Sequence, residues 1–264
     1  AAHRSSPTQV GTDTNWPQDG NSLIATGYIN SFAIKTNGTL WSWGDNENGA
    51  LGHNSAEGVN LSSPTQIGTD TTWKSVRALQ YGGMANKTDG TLWAWGKSDD
   101  GLLGLNGPVN TRQSSPTQIG TDTTWSILDG GGGGAYALTM SAIKTDGTLW
   151  AWGNNEFGTL GQNQAEAQVS SYSSPMQIGT DTNWASSFQS RYGAYATKTD
   201  GTLWAWGYNQ SGMFGQNNTA PAGSVSSPTQ VMSGKNYVRL NGTAMDSTSM
   251  TVSNATLFYI IKEP

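Results

Sequence analysis

The sequence predicts an all-β β-propeller, most simply five blades of antiparallel four-stranded sheets. Three observations carry this expectation. The decapeptide KTDGTLWAWG stands word for word at 87–96, 144–153 and 198–207, with KTNGTLWSWG at 35–44. A second segment, SSPTQVGTDTNW at 5–16, returns at 62–73, 114–125 and 173–184, and in decayed form from Ser226. A third, close to GxNxxGxLGxN, follows each WxWG at 44–54, 96–106, 153–163 and 207–217.

The turn glycines Gly38, Gly90, Gly147 and Gly201 stand 52, 57 and 54 residues apart (90 − 38, 147 − 90, 201 − 147). A further step of 54 lands on Ala255, inside the worn copy NATLFYII, where Phe258 and Ile260 replace two tryptophans. The chain therefore reads as one domain of five units, at about 1–58, 59–110, 111–169, 170–222 and 223–264.

Within each unit, the Asn-Gly or Asp-Gly pair between two apolar runs is the strongest short-range signal for a hairpin. The strand after the turn is apolar on both faces: Trp41 and Trp43 point one way, Leu40 and Ser42 the other. Such a strand must be covered on both sides. Ser-Ser-Pro then opens another strand, with proline expected at its first position. No segment has a helical period. Because the chain starts at a Ser-Ser-Pro segment and ends after a hairpin strand, the N-terminal strand is expected to pair with Leu257–Ile261 and close the ring.

The 264 residues can bury a sizeable core, and the 12 tryptophans demand one. A net charge of −5 without charge runs disfavours nucleic acid. No apolar run reaches membrane-spanning length, so no membrane insertion is expected. With no cysteine there are no disulfides and no thiolate chemistry.

Together, DGTLWAWGxNxxGxLG and SSPxQ resemble the regulator of chromosome condensation repeat, a β-propeller family, over essentially the whole chain. The family's best-known members have seven blades, and its founder exchanges nucleotide on a small GTPase; fold alone does not carry that activity over. Family repeats usually hold a histidine before the turn. The equivalent stretches here, GYINSFAIK, QYGGMANK, ALTMSAIK and RYGAYATK, hold none, so GTPase regulation ranks last among the expected functions. The near-identical copies resemble repeat proteins of bacteria and their phages.

Eight tryptophans sit in the WxWG strands: Trp41, Trp43, Trp93, Trp95, Trp150, Trp152, Trp204 and Trp206. Burying ~200 Å² of indole stabilises by ~5 kcal/mol gross, which favours structural core over exposed stacking platforms. The run Gly130–Gly134 lacks the Gly-Lys-Ser/Thr ending of a phosphate loop. The acidic clusters at 45–48, 97–100 and 154–157 lack cation-loop spacing, and neither His3 nor His53 lies beside a nucleophile elbow. No catalytic residue, metal or cofactor is expected, and the chain is not expected to be an enzyme.

The loops before the hairpins diverge between units and carry Tyr28, Tyr81, Tyr136, Arg191 and Tyr192, residue types enriched at interfaces. The leading expectation is an exposed structural or adhesive module of a phage virion or bacterial surface, extracellular or on the virion. Its expected partners are other protein subunits of that assembly. A lectin-like binder of glycans is the alternative.

Overall fold

The computed structural model describes residues 5–18, 23–128, 138–164, 169–209, 212–215, 224–231, 239–242, 250–254 and 257–258. Four sheets have four antiparallel strands each. The first holds β1 (Ile24–Thr26), β2 (Asn30–Ile34), β3 (Leu40–Gly44) and β4 (Leu61–Gln66). The second holds β5 (Trp73–Leu79), β6 (Gly82–Lys87), β7 (Leu92–Ser98) and β8 (Thr111–Gln118). The third holds β9 (Trp125–Ile127), β10 (Thr139–Lys144), β11 (Leu149–Asn154) and β12 (Ser171–Gln177). The fourth holds β13 (Trp184–Gln189), β14 (Gly193–Lys198), β15 (Leu203–Tyr208) and β16 (Ser224–Val231). A three-stranded sheet of β17 (Arg239–Gly242), β18 (Met250–Asn254) and β19 (Leu257–Phe258) follows, and β17 packs on β13 and β14.

Each blade is a meander that borrows its last strand from the next unit's Ser-Ser-Pro segment. This explains why the last sheet differs from the expected fifth four-stranded blade. Its fourth strand would have to come from the N-terminal Ser-Ser-Pro, and residues 5–18 contain no strand. Among the described residues, then, four sheets are four-stranded and no N-terminal strand closes a ring.

Proline is also placed differently from expectation. Pro64, Pro116, Pro175 and Pro228 lie inside their strands, at register breaks opposite Trp43, Trp95, Trp152 and Trp206. A bulge on an edge strand tolerates the missing donor. The break also turns a serine carbonyl outward across the seam. Ser114 O accepts from Asn54 N of the preceding blade at 2.6 Å, Ser173 O from Asn106 N at 2.7 Å, and Ser226 O from Asn163 N at 2.6 Å.

The core lies between blades rather than within them. One apolar cluster joins Phe32, Ile34 and Leu40 of the first blade to Trp73, Val76 and Trp95 of the second. Another joins Met84, Leu92 and Leu103 to Trp125, Met140 and Trp152, and a third joins Ile143 and Leu160 to Trp184 and Trp206. Sheets that cannot cover their own faces must stack, and the seam is where burial stabilises the fold.

The eight WxWG indoles divide by position. Trp95, Trp152 and Trp206 are wholly buried, while Trp41, Trp43, Trp93, Trp150 and Trp204 are half-buried. The tryptophans that end the Thr-Asp-Thr segments complete the packing: Trp125 lies edge-on to Trp150 and Trp152 at 5.9 and 6.2 Å. In Trp16, Trp73, Trp125 and Trp184 the buried indole N–H has no hydrogen-bond partner.

Candidate protein-docking surface

The two ends of the blades are built differently. At the turn end the hairpin is held by a repeated chain of donors. Asp146 Oδ1 accepts from Thr148 N at 3.0 Å and Oγ1 at 2.7 Å, and Thr148 Oγ1 accepts from Trp150 Nε1 at 2.8 Å. Asp89 and Asp200 repeat this, with Asn37 in the first blade. These bonds hold the carboxyls of Asp89, Asp146 and Asp200 below the ordinary aspartate range. Gly147 takes φ +78° in its hairpin turn, and any Cβ there would strike Thr182 O of the next unit.

The same end holds four lysine cages. Lys144 Nζ lies 3.9 Å from the Trp150 ring centroid and 4.7 Å from that of Trp125, and it pairs with Asp122 Oδ2 at 2.8 Å. Lys35, Lys87 and Lys198 do the same with Asp13, Asp70 and Asp181. The lysine is buried and the aspartate exposed. Two ring faces and one acid therefore make a cation site that the chain fills with its own lysine.

The opposite end carries the divergent loops. There the residue following each WxWG donates its N–H to the loop between first and second strands: Asp45 to Ile29 O, Lys97 to Tyr81 O, Asn154 to Leu138 O and Tyr208 to Tyr192 O. Four positions thus repeat a backbone tie and differ in chemistry. Tyr28 is 61% exposed, and Tyr81 is half-buried with Lys97 Nζ 5.6 Å from its ring centroid. Arg191 is exposed, with its guanidinium 5.1 Å from the Tyr192 ring. Tyr136 and the Gly130–Gly134 run fall at or among residues 129–137, outside the described residues.

Two aromatic residues that the sequence did not single out join this group. Phe157, in the third blade's loop, lies 5.0 Å from Tyr192 and 5.6 Å from Tyr208 of the fourth. Only the pairing of blade n's loop with blade n + 1 brings them together, and no spacing within one unit shows it. The same pairing at the preceding seam has Asn154 Nδ2 donating to Asp100 Oδ2 at 2.9 Å.

His53 Nε2 lies 2.9 Å from Ser42 Oγ, but that hydroxyl is wholly buried and donates to Leu51 O. Burial lowers the His53 pKa, and the pair ties a loop down. Among the described residues no three His, Asp or Glu side chains gather to hold a metal ion, and no helix is long and apolar enough to cross a membrane.

Comparison with known proteins agrees with the geometry. The chain matches the regulator of chromosome condensation (RCC1) repeat over 37–83, 89–135, 146–190 and 200–241, and a second RCC1 repeat profile over 22–50. Human HERC6, a probable E3 ubiquitin-protein ligase, is 27% identical over 75% of this chain and 19% of its own. The Saccharomyces cerevisiae guanine nucleotide exchange factor SRM1 is 22% identical over 79% of this chain and 49% of its own. This chain thus spans half or less of those two relatives. Human WBSCR16 superposes with a TM-score of 0.66 and 21% identity, over 82% of this chain and 54% of its own. Prp20p from Saccharomyces cerevisiae, studied for its binding to Gsp1p and histones, superposes with 0.66 and 22% identity, over 83% and 51%.

These relatives correct two expectations. The phage-virion or bacterial-surface module, with glycan binding as its alternative, gives way, because the matched relatives include an exchange factor and a probable ubiquitin ligase. The expected partners fall with it: Prp20p is described by its binding to Gsp1p and histones, not to virion subunits or glycans.

Proposed function

Since the chain belongs to the regulator of chromosome condensation repeat family, we propose that it holds a protein partner on the divergent-loop end of its propeller, and that this partner is a small GTPase whose nucleotide exchange it promotes. One observation carries the docking end. The repeated side-chain ties occupy the turn end, whereas at the other end Tyr81, Tyr192 and Tyr208 sit on a shared backbone tie with different side chains, beside Tyr28 and Arg191. A surface repeated in backbone and varied in side chain is suited to recognising one partner from a rigid frame. Kinship with SRM1 supports exchange as the activity, and no catalytic group is needed for it, since a bound partner can be shifted to a nucleotide-releasing state by differential affinity alone. We read β17–β19 as a fifth blade, a reading supported by its packing on β13 and β14.

Release of a fluorescent GDP analogue from a panel of small GTPases tests the proposal. Acceleration of at least tenfold on one member, lost in Tyr28→Ala combined with Tyr81→Ala, is expected. No acceleration on any member would remove the exchange reading.

A further inference from the structure

The sequence holds four Asn-Gly pairs, at 37–38, 48–49, 106–107 and 241–242. Asparagine is chemically labile, and most so where the next backbone nitrogen can attack its side chain; glycine places no Cβ beside that nitrogen. The structure separates the four pairs. In the first hairpin turn Gly38 N donates to Lys35 O at 2.8 Å, and Thr39 N and Oγ1 hold Asn37 Oδ1. Gly49 N donates to Asn46 O at 3.3 Å, and Asn48 is only 5% exposed. Asn241 and Gly242 run through β17, paired with Thr251 and Met250 of β18. Asn106 differs from all three. It is exposed, and a Cβ on Gly107 would meet nothing within 4 Å.

The repeat supplies matched comparisons. Asn54, Asn106 and Asn163 fill one position of the GxLGxN loop, with φ of 52°, 53° and 55°. All three are exposed, and each donates its N–H to a serine carbonyl of the following blade. The residue that follows is Ser55, Gly107 and Gln164 respectively. Asn54 Oδ1 also accepts from Ser114 Oγ at 3.2 Å. Backbone conformation and seam bond are therefore constant while the side chain beside the attacking nitrogen varies.

We propose that Asn106 is a site of spontaneous covalent modification, at which water converts the carboxamide to aspartate and isoaspartate. Gly107 N attacks Asn106 Cγ; a Cγ–N bond forms, the Cγ–Nδ2 bond breaks, and ammonia leaves with the proton given up by Gly107 N. Water then opens the five-membered imide at either carbonyl. Breaking the new Cγ–N bond restores the chain with aspartate at 106. Breaking the original peptide bond leaves the chain running through Cβ and Cγ. The net change is one water consumed and one ammonia released, with nothing oxidised or reduced. The seam between the second and third blades receives the consequence. Asn106 N donates to Ser173 O across it at 2.7 Å, and the isoaspartyl chain is one carbon longer directly after that donor. The inference goes beyond the docking reading and does not rest on it.

Peptide mapping by mass spectrometry, on the full chain aged in mildly alkaline buffer, tests this. Conversion of amide to acid at Asn106 should run at least tenfold faster than at Asn54, Asn163, Asn37 or Asn48. Gly107→Ala has room for its methyl and no left-handed backbone, so it should fold normally and slow the reaction at least tenfold. Ser55→Gly should in turn speed the reaction at Asn54 at least fivefold. After equal ageing, the urea midpoint of the parent should fall below that of Gly107→Ala. A rate at Asn106 within twofold of that at Asn163, or an unchanged rate in Gly107→Ala, would overturn the site. Full conversion with no fall in the midpoint would overturn its effect on the seam.

Discussion

Trp152 Nε1 donates to Leu102 O at 2.9 Å, across the seam between the second and third blades. Trp95 does the same to Ala50 O at 3.2 Å and Trp206 to Thr159 O at 2.8 Å. Each acceptor is the residue between the glycine and the leucine of a GxLG loop, so the third repeated segment serves the following blade's tryptophan. Among the described residues no blade precedes Trp43, and that indole is half-exposed.

Trp152→Phe keeps most of the buried ring and strands a buried carbonyl. A cost of about 1–3 kcal/mol is expected in urea unfolding, from the lost bond and the unpaired acceptor. Trp43→Phe, which breaks no seam bond among the described residues, should cost under about 1 kcal/mol. Equal costs for the two would show that the indole bond contributes nothing.

Gly104 is the surface on which Trp152 rests: its φ is +69°, and a Cβ there would lie 2.9 Å from Trp152 Nε1. Gly120 has φ +60° with open space around it. Gly120→Ala should therefore cost only the left-handed backbone, about 1–2 kcal/mol. Gly104→Ala adds overpacking against a buried ring and should cost roughly 1–3 kcal/mol more. Denaturant melts of the two variants separate backbone strain from steric fit.

The repeat made the hairpins, their turns and the apolar strands readable, because each depends on residues within ten positions of one another. Asp146, Gly147 and Trp150 are such a set. What the sequence concealed lies across seams, between residues 35 to 60 positions apart (192 − 157, 114 − 54). Asn54 reaches Ser114 and Phe157 reaches Tyr192, and neither pairing follows from one unit's period. The proline bulge was hidden for the same reason: Pro116 is tolerable within β8 because the break frees Ser114 O for the neighbouring blade. At the candidate site, the sequence singled out Tyr81, Arg191 and Tyr192 by loop divergence. It passed over Tyr208, which follows the invariant WxWG and looks like scaffold until the strands are paired.

The lysine cages should tolerate loss of the acid better than loss of the cation. Lys144→Met keeps the stem against Trp150 but removes the charge from two ring faces, at an expected cost of about 1–2 kcal/mol. Asp122 is exposed, so Asp122→Asn should cost under about 1 kcal/mol. A reversed order in urea midpoints would assign the stabilisation to the ion pair rather than to the rings.

Acid should weaken the hairpin turns. Asp89, Asp146 and Asp200 have folded-state pKa values below the ordinary aspartate value, chiefly through bonds from Thr91, Thr148 and Thr202. A depressed pKa means the unfolded chain binds protons first, so this contribution is complete above about pH 4 and is lost as pH falls below it. Asn37 already fills the same position without a charge. Replacing all three aspartates by asparagine should flatten the dependence of melting temperature on pH below about pH 4 while leaving it nearly unchanged at pH 7. An unaltered acid limb would place the sensitivity elsewhere.

Tyr195 marks where the repeat gives out. The register position it occupies on β14, three before the turn lysine, is Phe32 in the first blade and Met84 in the second. Those side chains pack in the seam with the next blade, Phe32 lying 5.4 Å from Trp95. The worn fifth unit supplies no such tryptophan, so Met213 O, the counterpart of Leu102 O, has no indole to serve it. Tyr195 takes over: its hydroxyl donates to Met213 O at 2.9 Å from within the same blade, while its ring lies edge-on to Phe214 at 5.9 Å. Burial raises the phenol pKa, which keeps the donor protonated through the working range. Tyr195→Phe should thus leave Met213 O unpaired and cost about 1 kcal/mol or somewhat more, despite a conserved ring. Met84→Leu, in a seam with no hydroxyl to lose, should cost under about 1.5 kcal/mol. If Tyr195→Phe leaves the urea midpoint unchanged, the hydroxyl does not stand in for the missing indole.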